Sequence, residues 1–236
     1  MALPFFYTDA LSTTATQFVL NEETSKHVVQ VLRKQNGEHL WLTDGKGNLF
    51  TAEIIDDNRK KCEVKILSVS VQPLPAKKIT IAISLVKNST RFEWFLEKAT
   101  ELGVSEIFPI LCSRTEKQQF RHDRMKNIVI SAMLQSQQTW LPVLHEPAKF
   151  TELLKIANAQ QKFIAHCEEE NSKESLVNKI SGNSAESIIL IGPEGDFTKE
   201  EIAQALQNNY LPVALGKTRL RTETAGVVAA TLLCIF

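Results

Sequence analysis

The residues best suited to chemistry in this chain lie in two glycine-bearing segments. Three of its nine glycines fall within Ile191-Gly192-Pro193-Glu194-Gly195-Asp196-Phe197 and Leu215-Gly216-Lys217-Thr218-Arg219-Leu220-Arg221-Thr222-Glu223-Thr224-Ala225. Each segment runs from an apolar, strand-like stretch into a helix start. Glycine there lets the backbone approach a ligand closely, and exposed N–H and C=O groups can read the edge of a heterocycle such as adenine without side chains. A third segment, His166-Cys167-Glu168, follows another strand end. One such loop alone reads as an ordinary tight connection, so the signal lies in finding them together.

The common nucleotide and hydrolase signatures are missing. The turn after the first buried strand, Ser84-Leu85-Val86-Lys87-Asn88, has no glycine, so the usual dinucleotide fingerprint fails. Gly216-Lys217-Thr218 ends like a P-loop, but the upstream glycine it needs would stand where Leu211 does. There is no H-E-x-x-H, no clustered Cys/His set and no G-x-S-x-G elbow. No catalytic metal is expected, and the scattered His27, His39, His122, His145 and His166 read as surface or satisfied core residues.

Those loops need a scaffold, and the composition supplies one. The chain has 236 residues, 27 Lys+Arg against 27 Asp+Glu, and 43% hydrophobic residues, which excludes a disordered polymer. No stretch reaches the roughly eighteen apolar residues of a membrane span, and the first residues lack the pattern of a signal peptide. Cys62, Cys112, Cys167 and Cys234 lie far apart in apolar or strand-like runs and read as reduced core residues of a cytosolic protein. Zero net charge means that any grip on nucleic acid is local. The segment from Arg114 to Lys126, with five cations (Lys117 among them) against Glu116 and Asp123, a net of 5 − 2 = +3, is the best candidate. It reads equally as a solvated loop leading into a helix.

Two compositional styles meet near Gln72-Pro73-Leu74-Pro75, which predicts a domain over residues 1–72 and another over 73–236. The first reads as short strands with a hairpin at Asp44-Gly45-Lys46-Gly47 and one helix from about Ser25 to Arg33, its Val28, Val31 and Leu32 on one face. A compact β-barrel is the economical architecture. The second alternates strands and helices. Phe92, Phe95, Leu96, Ala99 and Leu102 recur at helical spacing behind a capping box at Thr90 to Glu93, and Gly103 stands where a left-handed C-cap belongs. Another capping box, Thr198 to Glu201, opens a later helix. Strands apolar on both faces between helices predict an α/β domain whose parallel sheet is covered on each side, with ligands beyond the carboxyl ends of the strands.

Three segments in order, Phe92 through Val104, Ile191-Gly192-Pro193-Glu194-Gly195 and Leu220-Arg221-Thr222-Glu223-Thr224-Ala225, resemble the bacterial 16S ribosomal RNA uridine-N3 methyltransferases, as do His27 through Arg33 and Asp44 through Gly47. The resemblance implies a PUA-like barrel joined to a SPOUT methyltransferase domain with a C-terminal trefoil knot, a cytoplasmic homodimer, S-adenosylmethionine as methyl donor, and 16S rRNA or the small ribosomal subunit as partner. Together with the loops at the strand ends, it leads us to expect cofactor contacts from His166, Cys167, Glu168, Ile191, Gly192, Pro193, Glu194, Gly195, Leu215, Gly216, Leu220, Arg221, Thr222, Thr224 and Ala225. Asp196, where many relatives carry glycine, and Arg219, at a usually apolar position, depart from the pattern.

Methylating N3 of a uridine requires in-line geometry, removal of the N3 proton and stabilisation of the resulting charge. The last task suits Arg221, and Glu223 or Glu194 are candidates for the proton, Glu223 being equally a helix-start carboxylate favoured by the macrodipole. RNA contacts are expected from Arg33, Lys46, Arg114 and Arg121. Val227, Val228, Leu232 and Phe236 recur along the last helix and suit either an interior or a dimer face. Two rival readings stand beside this one. They are the same chemistry on another RNA, such as a tRNA base or a ribose 2′-hydroxyl, and a non-enzymatic RNA-binding module.

Overall fold

The computed structural model describes residues 3–116, 118–168, 173–180 and 184–236, so Lys117 of the basic run lies outside the described residues. The chain divides into two compact units, Met1–Leu74 with Met133–Leu141, and Pro75–Ala132 with Pro142–Phe236.

The first unit contains β1 (Phe5–Tyr7), β2 (Gln17–Val19), α1 (Glu22–Lys26), β3 (His39–Thr43), β4 (Asn48–Asp56) and β5 (Glu63–Val71). They form one sheet in the order β1-β3-β4-β5-β2, parallel only between β1 and β3. The end strands β1 and β2 do not pair with each other, so the expected barrel is a half-barrel. Alternation along β4 turns Phe50, Ala52 and Ile54 into a core with Val28, Leu40, Leu42 and Val64. Gly45 and Gly47 have φ of 72° and 89°, as the hairpin reading required. The segment Met133–Leu141 binds that turn: Gly47 N–H donates to Thr139 O and Leu141 N–H to Gly45 O, both at 2.9 Å.

The helix expected from Ser25 to Arg33 is two pieces. Asn21 caps α1 through a bond from Thr24 N–H (2.8 Å), and the chain then widens into a π-helical turn, His27–Val31. Leu32 N–H accordingly reaches back five residues to His27 O. The wider turn breaks the expected apolar face: Val28 is buried, whereas Val31 is 67% exposed.

The second unit runs β6 (Lys78–Ser84), α2 (Ser89–Glu101), β7 (Glu106–Leu111), α3 (His122–Gln135), β8 (Val143–Leu144), β9 (Ala148–Lys149), α4 (Phe150–Ile156), β10 (Gln161–Ala165), β11 (Glu174–Ser175), α5 (Leu176–Lys179), β12 (Glu186–Ile191), α6 (Lys199–Gln207), β13 (Leu211–Ala214) and α7 (Thr222–Ile235). Its sheet has the order β11-β13-β10-β12-β6-β7-β8, with β9 also on β7, and every pairing is parallel. Both faces are covered, as the β-branched strands required. Ala82, Ile110, Ile164, Ile188 and Leu190 pack with Phe150, Leu153 and Leu154 of α4 and with Ile202 and Ala205 of α6. On the other face α7 lies against α2 and β6 so closely that a Cβ at Gly226 would stand 2.7 Å from Phe95 Cε2 and 2.8 Å from Ile83 Cδ1.

Helix ends follow local rules, with one correction. Thr198 and Glu201 form the expected capping box, and Gly103 is left-handed (φ 89°). The cap of α2, however, is Asn88, whose side chain accepts from Thr90 N–H at 3.0 Å. Asn caps a helix at least as well as Thr and stands two residues earlier, which leaves Glu93 to pair with Arg124 (2.8 and 3.0 Å). No helix is long and apolar enough to cross a membrane among the described residues.

Candidate active site

Beyond the carboxyl ends of β10, β12 and β13 the second unit opens two cavities of about 420 and 300 Å³ that share Ala165, Cys167, Arg219, Leu220 and Ala225. Both lie at or near the size of small-molecule sites, roughly 300–1,000 Å³. The larger is also lined by His166, Leu215 and Gly216, and the smaller by Ile191, Gly192, Pro193, Glu194, Arg221 and Thr222. The three segments singled out by their glycines and strand ends therefore meet. Of the residues assigned to the cofactor, Glu168, Gly195 and Thr224 do not line either cavity.

The loops are tied to one another by hydrogen bonds between residues distant in sequence. Thr222, buried in the first turn of α7, donates from Oγ1 to Gly192 O at 3.0 Å and so joins the two glycine loops. Asp196 Oδ2 accepts from Cys167 N–H at 2.7 Å, and Lys173 Nζ donates to His166 O at 3.0 Å and to Glu168 O. Arg114 Nη1 donates to Gly195 O (2.6 Å) and Phe197 O (3.3 Å), so this guanidinium, expected to face RNA, holds the glycine loop. Buried Glu201 adds a second tie, accepting from Ser113 N–H at 2.7 Å while its other oxygen accepts from Thr198 N–H at 2.8 Å.

Two of the three loop glycines have a role beyond the ligand approach read in the sequence. Neither Gly192, Gly195 nor Gly216 is left-handed, so their roles lie in the space around them. A Cβ on Gly192 would sit 3.1 Å from the buried Phe197 ring, and one on Gly195 3.3 Å from Arg114 Cδ. These two positions make room for the protein's own side chains. At Gly216 a Cβ would meet no atom of the described residues within 4 Å apart from its chain neighbours, and the residue lines the larger cavity, so a side chain there would occupy ligand space.

Among the candidate catalytic residues, Glu194 and Arg221 line the smaller cavity together. Glu194 Oε1 accepts from Lys87 N–H at 3.0 Å. Arg221 is the exposed N-cap residue of α7, and its guanidinium has no hydrogen-bond or ion-pair partner among the described residues. Glu223 is buried and pairs with Arg91 at 3.7 Å. Of the other cations expected to meet RNA, Arg33 and Lys46 are exposed in the first unit and Arg121 in the second.

Cys167 departs from the expected buried thiol. It is exposed at the cavity wall, where desolvation and the nearby Asp196 carboxylate raise its pKa and so disfavour the nucleophilic thiolate. Cys62 and Cys112 are buried as read, and burial pushes the Cys62 thiol up to about 11. No group of three or more His, Cys, Asp or Glu is arranged to hold a metal ion among the described residues.

Comparison with known proteins bears on what the cavities serve. An RNA methyltransferase domain model matches residues 72–234, and an RNA methyltransferase PUA domain model matches residues 20–67. A ribosomal RNA small subunit methyltransferase E from Synechocystis sp. is 32% identical over 210 residues, covering 86% of this chain and 68% of the relative. Among solved structures, a probable rRNA-methyltransferase from Porphyromonas gingivalis superposes with a TM-score of 0.89 at 36% identity, over 97% of this chain and 95% of that one. A ribosomal RNA small subunit methyltransferase E from Neisseria gonorrhoeae, bound to S-adenosyl methionine, superposes with a TM-score of 0.86 at 29% identity, again over 97% and 95%. With a PUA domain ahead of an RNA methyltransferase domain, the chain belongs to the family of the ribosomal RNA small subunit methyltransferases E.

Proposed function

We propose that this chain methylates N3 of a uridine in small-subunit ribosomal RNA, with S-adenosylmethionine held in the cavities beyond β10, β12 and β13. The observation that carries the reading is the meeting of both glycine loops and the turn at His166 and Cys167 around two cavities that share lining residues. The residues present fit the cofactor. Gly216 leaves open space in the wall of the larger cavity, and Leu215, Leu220 and Ala225 provide apolar surface. When bound, the cofactor supplies an electrophilic methyl group that needs no metal. The first unit, matched by the PUA model, is the proposed RNA-holding domain, with Arg33 and Lys46 among its exposed cations.

Arg221 supplies the charge. Its guanidinium, without a partner among the described residues, is available to an acceptor whose N3 loses a proton, and its planar fork suits the O2–N3–O4 system. Of the two carboxylates, Glu194 lines the smaller cavity with Arg221 whereas Glu223 is buried and lines neither cavity, so Glu194 is the proposed proton acceptor. A C-terminal trefoil knot and a homodimer belong to the same proposal. The chain supports the first by returning from β13 to place α7 against β6 and β12. It supports the second by leaving Ile235 and Phe236 of the last helix 64% and 56% exposed, with Val227, Val228 and Leu232 only half-buried.

The reaction is tested by incubating the chain with isotopically labelled cofactor and, in parallel, unmodified small-subunit rRNA or particles and unmodified tRNA, then identifying the labelled nucleoside by mass spectrometry. Label in 3-methyluridine is the expected result. Label in a ribose-methylated nucleoside or in tRNA alone would favour the rival SPOUT reading, and absence of label together with RNA binding would favour a non-enzymatic module.

A further inference from the structure

Asp196 holds an uncommon backbone conformation and commits its side chain to a neighbouring loop. Its φ of 62° lies in the left-handed region, which glycine enters freely and which Asp and Asn tolerate better than other residues. In the same loop, Gly192 and Gly195 are not left-handed, so the aspartate occupies the position that a glycine would most easily fill. Asp196 N–H donates to Pro193 O at 2.9 Å, closing a turn that fixes the direction of the side chain. Oδ1 then accepts from Phe197 N–H at 2.9 Å within the loop, and Oδ2 accepts from Cys167 N–H at 2.7 Å, 29 residues away in sequence. A carboxylate acceptor makes the second bond charge-assisted and strong.

The turn that Asp196 reaches is gripped from the opposite pole as well. Lys173 Nζ donates to His166 O and Glu168 O, so an anion holds an N–H of the turn and a cation holds its carbonyls. Cys167 lines both cavities and Asp196 lines the smaller. Beyond Ala165 and Ile191, the last paired residues of β10 and β12, the two walls are therefore joined through this side chain.

We propose that Asp196 is a positioning residue that latches the His166–Glu168 turn to the glycine loop and holds the cavity in its binding shape before ligand arrives. The proposal rests on the reading that this cavity takes S-adenosylmethionine. A wall already ordered loses little freedom when ligand binds, whereas an unlatched turn must be ordered at that moment, which weakens affinity without altering the chemistry at the methyl group.

Three variants test it. Asp196→Gly removes the latch and leaves φ unstrained, Asp196→Ala removes the latch and keeps the strain, and Asp196→Asn keeps one acceptor oxygen at a tolerated φ. Amide hydrogen exchange at Cys167 without ligand reads the latch directly. Calorimetric titration with S-adenosylmethionine reads affinity, and turnover at saturating cofactor reads chemistry. In Asp196→Gly the Cys167 amide should exchange about tenfold faster or more, cofactor affinity should fall on the order of tenfold, and kcat and the ligand-free melting point should stay near wild type. Asp196→Asn should fall between the two, and Asp196→Ala should match the affinity loss of Asp196→Gly with a lower melting point. Unchanged Cys167 exchange in Asp196→Gly would overturn the latch. Unchanged affinity, or a loss of affinity matched by a fall in that variant's melting point, would overturn the positioning role. Failure of the wild-type chain to bind the cofactor would contradict the proposed function instead, and the Cys167 exchange would still decide the latch.

Discussion

Gly226→Ala sets two physical effects against each other at one atom. Gly226 lies inside α7, where replacing glycine by alanine favours the helix by roughly 1 kcal/mol. The added Cβ, however, would stand 2.7 Å and 2.8 Å from Cε2 and Cδ2 of Phe95 and 2.8 Å from Ile83 Cδ1. Real Cβ contacts essentially never fall below 3.0 Å, so the neighbours must move. Ile83 Cδ1 is the end of a flexible side chain and can turn aside, but the Phe95 ring is rigid and fully buried. Overpacking of this kind costs typically about 1–3 kcal/mol. Taking its middle and subtracting the helix gain leaves a net loss of about 1 kcal/mol, a fall of roughly 2–4 °C in melting point for a chain of this size. Thermal and denaturant unfolding of Gly226→Ala, with and without Phe95→Leu, check the reasoning. The second substitution shortens the obstructing side chain, so the double mutant should recover about 0.5 kcal/mol or more relative to additivity. A melting point raised by Gly226→Ala alone would show that helix propensity wins and that α7 is not seated as tightly as described.

Other substitutions have equally definite outcomes. Gly47→Ala must accept both a φ of 89° and a collision with the Trp140 ring, so it should lose about 2 kcal/mol or more, whereas Gly37→Ala, with open space and a φ of 84°, should lose only the strain of about 1–2 kcal/mol; chemical denaturation compares them. Burial lowers the pKa of His145, stacked 3.5 Å from Phe108, below its ordinary 6.5, with Glu106 opposing. The unfolded chain then binds that proton more tightly, so stability should fall as pH drops below about 6.5 toward the folded-state value, and His145→Gln should flatten the slope there. Neutralising Lys46 or Arg121 should reduce the salt dependence of RNA binding by roughly one unit of slope each, measured by filter binding across a salt series. Gly216→Val should weaken cofactor binding in calorimetry while circular dichroism stays native-like, because the added side chain fills open cavity space.

Much of the second unit was legible because its signals are local. Apolar runs such as Ile79 to Val86 announce strands buried on both faces, and Thr198 with Glu201 announces a helix start within four residues. Both glycine loops could be placed at strand ends, where ligands of parallel sheets bind. What stayed hidden is carried by bonds between distant residues, which leave no periodicity: Asp196 to Cys167, Arg114 to Gly195, Thr222 to Gly192. Arg114 read as a cation for RNA because sequence shows a charge but not the carbonyls it faces. The grouping of Met133–Leu141 with the N-terminal unit gave no periodic signal either, since its ties are backbone bonds at Gly45, Gly47 and Thr139 and a Trp140 Nε1–H bond to Pro73 O, all between residues distant in sequence. At Asn88 the failure was a choice between two good caps two residues apart, which pattern alone does not resolve.

The measurement closest to the proposed chemistry is single-turnover methyl transfer by Arg221→Ala and Arg221→Lys, at saturating S-adenosylmethionine and across a pH series, on small-subunit rRNA. If the guanidinium stabilises charge that appears only as N3 loses its proton, Arg221→Ala should keep cofactor affinity and lose on the order of a hundredfold or more in rate, roughly 3 kcal/mol. Arg221→Lys should recover part of it, since it restores the charge without the planar fork. A wild-type rate at saturation, with only the cofactor's dissociation constant raised, would contradict this, leaving Arg221 a binding residue and the reaction without its anion-stabilising group.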